Sequence, residues 1–145
     1  MTDLIRYKLT IEYEGTNYHG WQWQPSHSSI QEELEKATFK YCQTECRFHA
    51  AGRTDAGVHA KAMIAHVDIP RDVDDYKIMD ALNYHLKDVP ISILNSERVD
   101  DEFHARFSAK KRYYRYHIIN RRAKLSLQKG RAWRIKDKID VNAMH

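Results

Sequence analysis

The sequence predicts an α+β fold in which two helices pack on one face of a mainly antiparallel sheet. Three observations predict it. Apolar and polar residues alternate with a period of two in the stretches 4–13, 63–69 and 111–120. Apolar residues recur at helical spacing in two other stretches, one ending near Cys42 and one between Asp75 and Lys87. The patterns succeed one another as β-α-β-β-α-β with an added strand, which is the ferredoxin-like order.

In the first strand Tyr7, Leu9, Ile11 and Tyr13 share one face, with Lys8, Thr10 and Glu12 between them. Glu14-Gly15-Thr16-Asn17 breaks it as a turn. The aromatic stretch Tyr18 to Pro25 comes next, and its Trp21 and Trp23 are either buried anchors or platforms on which bases stack. Ser29 and Glu32 open the first helix with capping-box chemistry, and Ile30, Leu34, Ala37 and Tyr41 form its apolar face. A second strand is expected over about 45–51. The third carries Met63, Ala65, Val67 and Ile69 on one face and stops at Pro70. Asp72, Asp74 and Asp75 place negative charge where a helix begins, Ile78, Ala81, Leu82 and His85 form its stripe, and Lys87 with Pro90 end it. A fourth strand is expected over about 91–99 and a fifth over about 111–120. Asp140 to His145 reads as a helix just starting with Asp140 as its cap, which suggests a chain cut from a longer protein: a first part, 1–138, and the start of a connecting helix, 139–145. The helix-free face of such a sheet is one that reads single-stranded RNA through aromatic side chains.

Composition narrows the function. With 42% hydrophobic and 30% charged residues, 145 residues suit one soluble globular domain with a real core. No apolar run reaches membrane-spanning length, the N-terminus lacks a signal-peptide pattern, and two cysteines suit a reducing compartment; the expected location is the cytoplasm. Charge is divided sharply. Residues 1–102 hold 11 Lys+Arg against 18 Asp+Glu, whereas residues 103–145 hold 13 against 2. A basic segment of this kind is the footprint of polyanion binding, and in Lys110-Lys111-Arg112-Tyr113-Tyr114-Arg115-Tyr116-His117 the cations are interleaved with rings that can stack on unpaired bases. A solvated basic face is the plainer reading of the same residues.

Few stretches can carry chemistry. Cys42-x3-Cys46 with His49, His59 and His66 has no matching second ligand pair, so no metal is expected. There is no phosphate-cradling glycine loop and no G-x-S-x-G serine. There remains Gly52-Arg53-Thr54-Asp55-Ala56-Gly57-Val58-His59-Ala60. Arg53 and Asp55 sit between two glycines on a tight loop between strands, which in isolation is ordinary turn chemistry. If Arg53 approaches Asp55, the charged carboxylate is favoured and can act as nucleophile or base. A surface ion pair of little consequence is the alternative.

That nine-residue string resembles the signature of the tRNA pseudouridine synthase A family. Three further stretches resemble the same family in the same order: Glu12 to Gln22, Asp101 to Ala109, and Arg112-Tyr113-Tyr114-Arg115-Tyr116 running on to Asn120. The resemblance covers essentially the whole chain. It implies that Asp55 is the catalytic aspartate, acting on a target uridine so that the base detaches and rejoins through carbon. It implies that Arg53 helps extrude the nucleotide and fills the space it leaves, and that Tyr114 stacks on the uracil and assists proton removal. A uridine within a stem must be flipped out to be reached. No cofactor is implied, since bonds break and re-form within one bound uridine. The implied partner is tRNA at its anticodon stem-loop, with Arg106, Lys110, Lys111, Arg112, Arg115, Trp21 and His59 as RNA-binding candidates. Family members carry a second, similar half and work as homodimers, so this stretch by itself is expected to show little or no activity. A ferredoxin-like RNA-binding module without chemistry is the alternative function, and a fragment with no autonomous function the third.

Overall fold

A computed structural model of the chain describes residues 3–145, which divide after Lys111 into two compact units. In the first, strand β1 (Ile5–Tyr13) is followed by helix α1 (Ile30–Cys42), strands β2 (His49–Ala50) and β3 (Ala60–Ile69), helix α2 (Asp75–His85) and strand β4 (Ile91–Arg98). The strands form one antiparallel sheet in the order β2-β3-β1-β4, the ferredoxin-like arrangement. β1 lies at its centre with Tyr7 opposite Val67, Leu9 opposite Ala65 and Ile11 opposite Met63. These residues alternate toward the helices and meet Ile30, Leu34, Ile78 and Leu82 in one core. Arg6, Lys8, His49, His66 and Asp68 alternate onto the opposite face.

Local chemistry explains the helix ends. The Ser29 side chain accepts from the Glu32 N–H at 3.1 Å, while the Glu32 carboxylate pairs forward with Lys36 at 3.0 Å rather than back to Ser29. Half the expected capping box is therefore used. Gln43 closes α1 in the left-handed conformation, its N–H donating to the Phe39 carbonyl. Asn83 docks α2 on the sheet by pairing both ways with the Ile93 backbone, donating at 2.9 Å and accepting at 2.7 Å.

Two expected strands are shorter than the sequence suggested. The second spans only His49–Ala50 instead of 45–51. Its approach is bonded to α1 side chains, not to a strand: Phe48 N–H donates to Glu35 Oε1 and the Phe48 carbonyl accepts from Gln31 Nε2. The fifth keeps only Ile118–Asn120 of 111–120 and does not extend the first unit's sheet. It belongs to the second unit, residues 112–145, as β5 (Ile118–Asn120) paired in parallel with β6 (Trp133–Ile135). The connection, 121–132, has the length that a parallel pairing demands. Asn120 ties the pair to the chain beyond β6 by donating to the Ile135 and Asp137 carbonyls. Asp140 Oδ1 accepts from the Ala143 N–H as a cap would, but turns rather than a helix come after it.

Candidate active site

The glycine loop 52–59 does not stand alone. It is zipped to the loop 14–21, so two of the four motif stretches form one structure. Tyr13 shares a 2.7 Å hydrogen bond between its hydroxyl and that of Thr54. The Trp21 N–H donates to the Thr54 carbonyl at 3.1 Å, and the Gly57 N–H to the Tyr18 carbonyl at 3.1 Å. The Gly15 N–H donates to Nδ1 of His59 at 2.9 Å. Glycine is required where the backbones meet. A Cβ at Gly15 would collide with the Val58 carbonyl, and one at Gly20 with the Thr54 carbonyl. Gly20 also has φ +84°, in the left-handed region.

This zipper fixes the backbone on both sides of Asp55 and leaves its side chain exposed, together with that of Arg53. Arg53 and Asp55 are not ion-paired with each other, and neither side chain has a hydrogen-bond or ionic partner among the described residues. Trp21 is 3% exposed and tilted against the Tyr13 ring at 6.1 Å, so it is a core anchor and its ring is closed to a base. Trp23, 45% exposed, keeps an accessible face. His59 is half-buried and serves the zipper through Nδ1. Burial raises the Tyr13 phenol, so it stays protonated at neutral pH and either hydroxyl of the pair can be the donor.

The helix-free face of the sheet is not a bare aromatic platform. Its centre carries ion pairs and histidines, and the segment 100–108 lies across it. Arg6 makes a two-pronged pair with Asp68, at 2.7 and 2.9 Å, and also donates to the carbonyls of Asp101 and Phe103. Beside that guanidinium the Asp68 carboxyl is held below its usual range. Lys8 pairs with Glu97 at 2.7 Å and sits 5.8 Å from the centre of the Phe103 ring. The segment presents Arg106, exposed, its guanidinium carbon 5.7 Å from the centre of the exposed ring of Phe107. Lys110 and Lys111 complete the first unit, both exposed. Tyr114, Arg112 and Arg115 belong to the second unit, where Tyr113, Tyr114 and Tyr116 are 87%, 69% and 87% exposed. The structure thus brings Arg53, Asp55, Trp21 and His59 together on one pair of loops and sets Arg106 on the covering segment.

Sequence reasoning missed the roles of Tyr13, Thr54, Arg6 and His66. Thr54 lay inside the motif and Tyr13 at the end of a strand pattern, so that pair was within reach. For Arg6 and His66 the only signal was their place on the polar side of two strands.

The sequence profile described as tRNA pseudouridine synthase matches residues 9–108. Curated proteins named tRNA pseudouridine synthase A match nearly the whole chain. That of Wolbachia pipientis wMel is 51% identical over 141 residues, covering 97% of this chain and 58% of the relative. That of Bradyrhizobium sp. is 52% identical over 140 residues, with shares of 97% and 57%. That of Ehrlichia canis is 53% identical over 141 residues, with shares of 97% and 58%. The chain spans a little under three-fifths of the length of these relatives. Among the described residues no helix is long and apolar enough to cross a membrane. The matched span includes the zipped loops and the covering segment, and the chain belongs to the tRNA pseudouridine synthase family.

Proposed function

We propose that this chain is the N-terminal, aspartate-bearing part of an enzyme that isomerises uridine to pseudouridine in the anticodon stem-loop of tRNA. In this reading Asp55 is the nucleophile, Arg53 assists extrusion of the nucleotide, and Tyr114 stacks on the uracil. Arg106, Lys110, Lys111, Arg112 and Arg115 hold phosphates, and the full-length protein works in the cytoplasm as a homodimer. One observation carries the reading: an exposed carboxylate on a backbone that hydrogen bonds to the neighbouring loop fix on both sides. A flipped uridine must come to a group that is already positioned, because alignment set in advance lowers the barrier.

Asp55→Asn tests the proposal in the full-length protein, with tritium release from tRNA labelled at uridine C5 as the readout. Isomerisation is expected to vanish while tRNA binding survives within about threefold, since the change removes chemistry and one negative charge but no phosphate contact. Loss of binding and turnover together would favour the non-catalytic RNA-binding module. The 145-residue chain by itself is expected to release little tritium, because the Asp55 side chain is exposed to bulk solvent there. Turnover by the isolated chain comparable to that of the full-length protein would refute this.

A further inference from the structure

His66 is an unusual residue to find in the middle of a sheet. It is 2% exposed and lies under the segment 100–108, with its Nδ1 accepting from the Ala105 N–H at 3.0 Å. The flanking rings are those of His49, stacked at 4.9 Å, and His104, edge-on at 4.6 Å. The segment itself is a closed turn. His104 N–H donates to Ser108 Oγ, Ser108 N–H donates to the His104 carbonyl, and His104 Nδ1 accepts from the Arg106 and Phe107 N–H groups. Among the described residues, besides ring contacts of Phe103 and His104, side-chain hydrogen bonds join this turn to the sheet at two places: the Arg6 guanidinium on the carbonyls of 101 and 103, and the His66 imidazole on the Ala105 N–H. The second requires an unprotonated Nδ1.

We propose that His66 is a positioning residue whose neutral imidazole, through Nδ1 and the Ala105 N–H, latches the turn bearing Arg106 and Phe107 onto the sheet, and that acid opens this latch. When a solvent proton binds Nδ1, that nitrogen becomes a donor facing the donor it had accepted from, and the hydrogen bond is lost. Among the described residues the new cation meets no carboxylate that is not already paired. Arg6 and Lys8 approach from β1, His49 from β2 and His104 from the turn, while Asp68 on β3 is already engaged by Arg6 and Glu97 on β4 by Lys8. Burial above all, then the charges of Arg6, His49 and His104, lower the His66 imidazole to about 4 against a smaller opposing pull from Asp68, so the latch is closed at neutral pH and opens as pH falls toward that value. The consequence for RNA rests on the function proposed above, in which Arg106 contacts phosphate; the latch itself does not depend on it.

Hydrogen exchange of the Ala105 amide, corrected for intrinsic rate and compared with that of Leu34 in α1, tests the latch in the 145-residue chain. In the unaltered chain Ala105 protection is expected to fall about tenfold between neutral pH and pH about 4, the worth of one hydrogen bond, while Leu34 stays protected. His66→Asn places an acceptor oxygen where Nδ1 stood and does not titrate, so protection of Ala105 should persist in acid. His66→Leu should lose about tenfold of that protection already at neutral pH. Acid release that persists in His66→Asn overturns the proposal, as does full protection in His66→Leu; if the leucine variant fails to fold, the asparagine variant decides. Binding of tRNA to the same variants separates the two readings. Weaker binding by His66→Leu, rescued by His66→Asn, supports both. An intact latch effect without any change in tRNA affinity upholds the latch and overturns the role of Arg106 in binding.

Discussion

The glycines of the zipped loops separate two physical demands that one residue type can meet. Gly57 has φ +77° but nothing within 4 Å of the position its Cβ would take, so an alanine there bears only the conformational cost. Gly57→Ala is expected to lower stability by about 1 kcal/mol. Gly20 has the same conformational demand and a carbonyl in the way, that of Thr54, next to Asp55. Gly20→Ala is expected to cost about 3 kcal/mol and, on the function proposed above, to reduce turnover by more than its stability loss explains, because the loop must move to admit the methyl group. Urea melts of both variants with parallel tritium-release assays check this contrast. Equal stability losses would show that the close approach at Gly20 is not a constraint. At this scale the sequence made Arg53 and Asp55 legible because their spacing between glycines is distinctive. It could not show the purpose of Gly15 and Gly20, since the partner backbone lies about forty residues away in the chain. Arg53 and Asp55 do not pair, so neither the approach on which a favoured carboxylate depended nor the alternative surface ion pair is present, and proximity in sequence carried no information on which way either side chain turns.

The elements were legible where periodicity reports burial and illegible where it reports something else. β1, β3, β4 and both helices lie close to where their apolar patterns place them, because each buries the patterned face in one core. The tyrosines of 113–116 alternate as convincingly, yet they are exposed and the stretch has no ladder. Tyrosine is compatible with a half-buried strand and with an open surface alike, so its period does not discriminate. The docking of α2 shows the reverse, a polar residue that holds elements together. Asn83 satisfies both the N–H and the carbonyl of Ile93, next to the bulge where β1 and β4 shift register. Asn83→Ala leaves two partly buried backbone groups without partners and is expected to cost about 2 kcal/mol, measured as a lower urea midpoint with unchanged slope. Asn83→Asp, which keeps one acceptor for the Ile93 N–H and no donor for its carbonyl, should fall between the two.

At the scale of the whole chain, charge is distributed by unit. Residues 1–111 carry 14 Lys+Arg against 18 Asp+Glu, and residues 112–145 carry 10 against 2. The acidic excess of the first unit includes many charges that are already paired, such as Asp68 with Arg6, Glu97 with Lys8 and Asp72 with Arg98. Lys110, Lys111 and Arg115, by contrast, have no ionic partner among the described residues. If the basic stretch holds a polyanion, each cation displaces condensed counterions, and the dependence of log affinity on log salt steepens by about 0.7 to 0.9 per phosphate neutralised. The fourfold variant Lys110→Ala, Lys111→Ala, Arg112→Ala, Arg115→Ala should therefore flatten the slope for tRNA binding by about three. Asp55→Asn should leave that slope where it was, because Asp55 displaces no counterion from the RNA. Filter binding across a salt series distinguishes these outcomes. An unchanged slope in the fourfold variant would mean that the basic stretch is a solvated surface and that the phosphates are held elsewhere.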